Sequence, residues 1–509
     1  MQKGQTFWIL LLFTVTGLCA QSRTVLNANN VSAPISANGL LFSGGLEIPK
    51  GSGINSISSA QIWIGGKSNN QLHIAARLHD SLKQNDFWAG PLNTTTGAAQ
   101  DSTTWNKIFK VTAQEITLHR QNYKKEGYTT PDGIKNWPGS SPQGQGFAQI
   151  LAPFVDFNTN RIYEPELGEY PYIKGDEAAY FIINDNLATH HATGGLPMGV
   201  EVHGMAYQFT NTPEVENTVF LKLSFINRSA NNYDSVFAGI WSSFSLGNPT
   251  DNYISTYPEK SAILAYNGDT LDENGYGINP PAQAIVFLNR PLQYSIEISG
   301  DNSMRGLPNK PQDFYNYLKR TWRDGSPLTD GFNGYKAGLA TDFIYNGDPC
   351  NLNNPRWTEN GSAISPGNRS ALGSIGPVNL AAGGFLQLDV AFVWARDSTG
   401  GALGSVCKLN NTIDDVIAFY KKEISSTNNT KTPVFTAYPN PTSNLLYLTV
   451  EGGNTTQVSI VNLSGQTVVA NSFSSGDTAI NTSHLADGIY ILKVETSNGI
   501  ATQKIVIQH

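Results

Sequence analysis

Between positions 218 and 229 the chain reads TVFLKLSFINRS, with Val219, Leu221, Leu223 and Phe225 at alternate positions. A period of two puts these four on one face of a strand and Lys222 and Ser224 on the other, as a half-buried antiparallel strand requires. Segments of the same kind recur as AAYFIIND (178–185), GVEVHGMAYQFT (199–210), DSVFAGIWSSFSL (234–246) and FLQLDVAFVWARDS (385–398), separated by polar breaks. Earlier, GLLFSGGLEIPKGSG (39–53) and AQIWIGGKSNNQLHIAARLHD (60–80) alternate between Gly and Asn turns and read as hairpins. Helical patterning is confined to PQDFYNYLKRTW (311–322), which opens on Pro and Asp, and NTIDDVIAFYKKEI (411–424), with acids early and lysines late. The pattern predicts an all-β fold: a large multi-sheet β-sandwich with a few short helices.

Composition agrees, since only 14% of the residues are charged while 10% are aromatic and 49 are Gly. A chain of 509 residues exceeds what one core organises, so more than one domain is expected. The opening MQKGQTFWILLLFTVTGLCAQS has one Lys, an apolar run about half the length of a bilayer span, then small residues. It predicts a secretory signal peptide over 1–20; the bulky Leu18 before Cys19 argues against a lipidation signal. A β-rich ectodomain over 21–424, open to division into two subdomains, precedes a polar, aperiodic linker at 425–433 and short alternating strands at 434–509. These last strands predict a small immunoglobulin-like sandwich. The formal net charge of −7 argues against nucleic acid as a partner. Cys350 and Cys407 are the two cysteines outside the signal segment, and either a disulfide or two free thiols is compatible with an exported chain.

The terminal segment resembles the type A C-terminal sorting domain of proteins exported by the type IX secretion system. The resemblance rests on YPNPTSNLLYL (438–448), IVNLSGQTV (460–468), LADGIYILKVE (485–495) and QKIVI (503–507), in that order. It implies recognition by the type IX machinery and its sorting protease after passage through the periplasm. The product is then released or attached to surface lipopolysaccharide. Gly488, Tyr490 and Lys493 match the G-x-Y-x-x-K signature, Lys504 matches the final basic strand, and Pro439, Asn440 and Pro441 carry the opening motif. The prolines are expected to fix an extended lead into the first strand. The ectodomain is similar, more loosely, to secreted bacterial proteins without an assigned activity.

Candidate chemistry is sparse. In VDFNTNRIYEPELGEYPYIKGD (155–176), Asp156, Asn158 and Asn160 fall at positions one, three and five of a calcium loop, with the Ile162 carbonyl at seven. The stretch departs from that loop at Arg161, where Gly is usual, and at Leu167, where an acid closes the site; Glu164 or Glu166 would have to substitute. Calcium is the candidate cofactor, and ordered Asx turns are the competing reading. A second acidic stretch, with Asp269, Asp272 and Asn274, reads better as turns. Glu201 and His203, two apart on a strand, could share a metal with His190 or His191, although no zinc spacing is present. Trp88, Trp137 and Trp357 fit sandwich edges better than sugar platforms. G-x-S-x-G, Walker A and G-x-G-x-x-G are absent. The expectation is a secreted or surface-attached protein with a binding, adhesive or structural role towards a glycan or protein ligand. The alternative is a secreted hydrolase acting on polysaccharide or peptide.

Overall fold

A computed structural model describes residues 22–78, 85–100, 102–142, 144–351, 357–425, 435–450, 456–462, 466–473, 476–496 and 499–509. The expected signal peptide and all but the first residue of the expected linker lie outside them. The chain divides into two compact units, residues 1–417 and 418–509.

The first unit is all-β, as the alternation predicts. Its larger sheet has nine antiparallel strands. In spatial order these are Asn252–Tyr257, Ala262–Asn267, Ala282–Phe287, Phe385–Ala395, Thr218–Asn227, Val200–Gln208 and Glu177–Asn184, with Trp88–Ala89 and Phe109–Thr112 both on the last edge. A second sheet of six runs Tyr294–Glu297, Arg369–Leu380, Tyr233–Phe244, Asn55–Ser68, and then Leu46–Glu47 and Gln71–Ala75, which both pair with Asn55–Ser68. Val219, Leu221, Leu223 and Phe225 all enter one core with Ile62, Ile64 and Ile240 of the second sheet. The sheets approach so closely that a Cβ on Gly373 would lie 2.8 Å from Ile263 and Phe287 on the opposite sheet. Asn69 and Asn70, both at positive φ, close the hairpin between Asn55–Ser68 and Gln71–Ala75, as a tight two-residue turn demands.

Helices differ from expectation in their limits. Pro311–Leu318 ends four residues before Trp322 and packs Phe314 against Trp63 at 5.0 Å. The second helix runs Gly401–Phe419, ten residues earlier than the periodicity places its start. Its glycine-rich first turn has low intrinsic propensity, and side chains distant in sequence hold it: Gly401 N–H donates to Asn279 Oδ1 at 2.9 Å, and Cys407 is disulfide-bonded to Cys350. A further helix, Ala113–Asn122, carries a capping box in which Thr112 Oγ1 accepts from Glu115 N–H and Glu115 Oε2 from Thr112 N–H.

The second unit is a two-layer sandwich of a three-stranded and a four-stranded sheet. Leu446, Leu448, Val458, Ile460, Ile480, Leu492 and Val494 fill its core. The first strand is Phe435–Tyr438, so Pro439 and Pro441 lie in the turn that follows it, not in the lead into it. A four-residue strand has too little alternation to be recognised ahead of such prolines.

Candidate functional site

The acidic stretch forms a closed loop. Phe154–Val155 pairs with Tyr170–Pro171, so residues 156–169 leave and return through a two-stranded clip. Inside it, Asp156 Oδ2 accepts the Arg161 N–H at 2.8 Å, while Asp156 Oδ1 is buried with no hydrogen-bond partner. Asn158 Oδ1 accepts from Asn160 N–H and Asn160 Oδ1 from Ile162 N–H, two successive Asx turns. Both amide nitrogens then donate to one oxygen, Glu164 Oε2, at 2.9 and 2.7 Å. Arg161 adopts φ 64° and Thr159 φ 58°, so residues other than Gly supply the sharp curvature.

Glu166 stands exposed on the short turn Pro165–Leu167, away from these contacts. The acid that closes the loop is Glu169, fully buried, whose carboxylate accepts Phe157 N–H at 3.1 Å and Glu164 N–H at 2.8 Å. Burial raises its carboxyl above the usual range, and the charges of Asp156 and Glu164 add to that against the two N–H donors. Sequence spacing alone missed Glu169 because it lies beyond the reach of a twelve-residue calcium loop; the pairing of Phe154 with Pro171 brings it back. The donor set is entirely hard oxygen, which is the chemistry calcium takes, and Asp156 Oδ1 is the one side-chain oxygen of the loop left buried without a partner. Among the described residues, no three His, Cys, Asp or Glu side chains converge at metal-binding distance.

Glu201 and His203 do share a face, and they bind each other. Glu201 is fully buried; its Oε1 accepts from His203 Nε2 and Arg228 Nη2, both at 2.8 Å, and its Oε2 from Leu92 N–H at 2.6 Å. Burial alone would raise its carboxyl, but the His203 hydrogen bond and charge, with Arg228, bring it down to about 2. Tyr180 Oη sits 2.7 Å from the other ring nitrogen of His203 and donates to Leu151 O. His190 is turned elsewhere, with its ring nitrogens on Ile74 O at 2.9 Å and Asp185 O at 2.6 Å. His191 is exposed. The three-residue metal set is therefore not assembled.

The remaining candidates make contacts within their own units. Asp272, buried, accepts the N–H groups of Asn248 and Tyr276. Trp137 is buried and donates to Pro153 O; Trp357 packs at a tilt against Tyr345, ring centroids 4.8 Å apart; Trp88 lies beside His190. In the second unit Asn440 Nδ2 donates to Lys504 O and Asn440 Oδ1 accepts Val506 N–H, clasping the last strand. Gly488 opens the strand Gly488–Thr496, Tyr490 Oη donates to Ala486 O, and Lys493 pairs with Glu495.

Residues 436–508 match the family described as secretion system C-terminal sorting domain. No curated protein matches the chain. The solved structures similar to parts of it include the following three. A polysaccharide lyase aligns at 8% identity over 60% of this chain and 34% of its own, with a TM-score of 0.19. A β-glucuronidase of Parabacteroides merdae aligns at 10% over 46% of this chain and 29% of its own, with 0.12. The BSP domain of a biofilm-associated protein aligns at 12% over 91% of this chain and 84% of its own, with 0.17. This chain thus spans about a third of the length of the lyase. None of these TM-scores supports a shared fold.

Proposed function

We propose that this type IX secretion cargo, whose sorting domain occupies residues 436–508, presents its β-sandwich outside the cell as a non-catalytic binding or adhesive scaffold stabilised by calcium. The sorting domain implies engagement with the type IX machinery and export through the periplasm to the surface or the medium. Removal of that domain by the sorting protease and attachment to surface lipopolysaccharide belong to the proposal, as does a glycan or protein ligand.

The observation that carries the calcium reading is the buried, partnerless Asp156 Oδ1 inside a loop closed at both ends. Asp156, Asn158, Asn160, the Ile162 carbonyl and Glu164 would hold the ion, and Glu169 would fix the loop backbone around them. Bound calcium would supply positive charge to a cluster of carboxylates and a rigid anchor for the loop.

The hydrolase reading rests on Glu201 and His203. Against it, Glu201 Oε1 and Oε2 already take three donors and His203 uses both ring nitrogens on protein groups, so the pair holds the strand instead of facing a substrate. Two assays on the full-length protein separate the readings. The scaffold predicts a melting temperature that rises with added calcium and falls with chelator. Product release from polysaccharide or peptide libraries, abolished by Glu201→Gln in a variant that still folds, would replace it with the hydrolase.

A further inference from the structure

The four-stranded sheet of the second unit ends on the strand Thr467–Phe473, which pairs with Thr456–Asn462 on one side and with no other strand among the described residues. Its sequence, TVVANSF, has no charged residue and no proline. An edge of that kind presents a row of main-chain N–H and C=O groups to any extended chain that reaches it. Folded proteins ordinarily blunt such edges with charge, proline, brevity or a covering segment.

Other edges of the molecule show those devices. In the first unit the edge strand Asn252–Tyr257 has Asn252 N–H on Gly367 O at 3.2 Å, Ile254 N–H on Glu359 Oε2 at 2.7 Å and Thr256 N–H on Tyr345 O at 3.0 Å. Tyr294–Glu297 is covered by the segment through Asp342 and Ile344, and Gln71–Ala75 by Leu196. In the second unit Asn440 and Thr442 cover the last strand from Lys504 to Ile507. The strand Phe435–Tyr438 has only four residues, and Gly476–Asn481 carries Asp477. Thr467–Phe473 has none of these protections among the described residues.

Beside this edge lies a groove of about 410 Å³, lined by Ala470 and Asn471 of the strand itself and by Gln457, Ser459, Lys493 and Glu495. Ala470 and Asn471 are exposed. Lys493 and Glu495 pair at 3.2 Å, so the groove has no net charge, and its amide and hydroxyl side chains both donate and accept. A strongly charged partner finds nothing complementary here. An extended, uncharged peptide does: its main chain continues the ladder along the edge, which supplies affinity, and its alternate side chains enter the groove, which supplies specificity. The unit that carries this edge matches the secretion system C-terminal sorting domain, so the partner that has to recognise it is a component of the type IX machinery.

We propose that Thr467–Phe473 is the docking edge of the sorting domain, on which an extended, uncharged segment of a type IX component adds as a further strand. This rests on the sorting reading above and locates the contact within it.

The experiment follows export of the full-length protein in a strain with a working type IX system, as the fraction of folded protein that reaches the surface or the medium. Ala470→Lys and Ala470→Asp place opposite charges on the edge. Each should lower the exported fraction about tenfold, the equivalent of one or two net hydrogen bonds, at an unchanged melting temperature. Asn471→Lys, at the neighbouring exposed position, should do the same. Thr502→Lys and Thr502→Asp, exposed on the opposite edge strand Gly499–Ile507, should export as wild type. Export indifferent to the Ala470 and Asn471 variants, or lowered equally by the Thr502 variants, overturns the assignment. A loss with one sign of charge only also overturns it, because that marks recognition of charge and not strand pairing. If purified wild type sediments as a dimer and the Ala470 variants as monomers, the edge serves a second copy of this chain and the assignment to the machinery falls. Deletion of residues 436–508 separates the two levels. Export lost on deletion but kept in the edge variants removes the docking edge alone, whereas export that survives deletion removes the sorting reading with it.

Discussion

Glu201 Oε1 and His203 Nε2 lie 2.8 Å apart on one face of the strand Val200–Gln208, and each is also held by a group from outside that strand. Leu92, Arg228 and Tyr180 complete the cluster, which joins the edge segments to the centre of the nine-stranded sheet.

That cluster carries a pH dependence of definite sign. Glu201 titrates at about 2 in the folded protein, against about 4.3 for an unfolded glutamate. Its contribution is therefore fully present above the unfolded value and lost as the pH falls through the folded one. Glu201→Gln should cost on the order of 3 kcal/mol at pH 7 and progressively less below pH 4. Urea unfolding of both proteins at pH 7 and pH 3 measures the difference; an equal cost at both would contradict the assignment.

The disulfide between Cys350 and Cys407 closes a loop spanning 57 positions and ties the helix Gly401–Phe419 to the segment before it. Chain-entropy arithmetic for a loop of that length gives about 4 kcal/mol of stabilisation. Denaturant unfolding of wild type against the double variant Cys350→Ser/Cys407→Ser should show a loss of that order. A loss below about 1 kcal/mol would mean the helix is held by its other contacts.

In the sorting domain, Asn440 makes two hydrogen bonds to the backbone of the last strand. Asn440→Ala should speed hydrogen exchange at the Val506 amide by roughly tenfold, the equivalent of one or two net hydrogen bonds. Unchanged exchange at Val506 would show that strand pairing alone protects it.

How much of this was legible depended on whether the determinant was local. Thr218–Asn227 could be read directly because Val219, Leu221, Leu223 and Phe225 repeat with the pleat, and the hairpin at Asn69–Asn70 because its turn chemistry is carried by the two residues themselves. The helix Ala113–Asn122 had its capping box in plain sight at Thr112 and Glu115, but only Ile116 and His119 are buried, so no apolar stripe announced it. The start of Gly401–Phe419 depends on Asn279, 122 residues away. The candidate loop divides in the same way. Asp156, Asn158 and Asn160 follow from spacing, whereas Glu169 enters through the pairing of Phe154 with Pro171. His190 shows the converse: its closeness to Glu201 in sequence gave no warning that Ile74 and Asp185 would claim both ring nitrogens.

The most direct test of the scaffold account is calorimetric titration of calcium into chelator-stripped full-length protein, alongside Asp156→Ala. The account predicts one site with a Kd of about 10⁻⁴ M or tighter, preferred over magnesium and lost in the variant. No calcium-dependent heat, or binding that persists unchanged in Asp156→Ala, would contradict it.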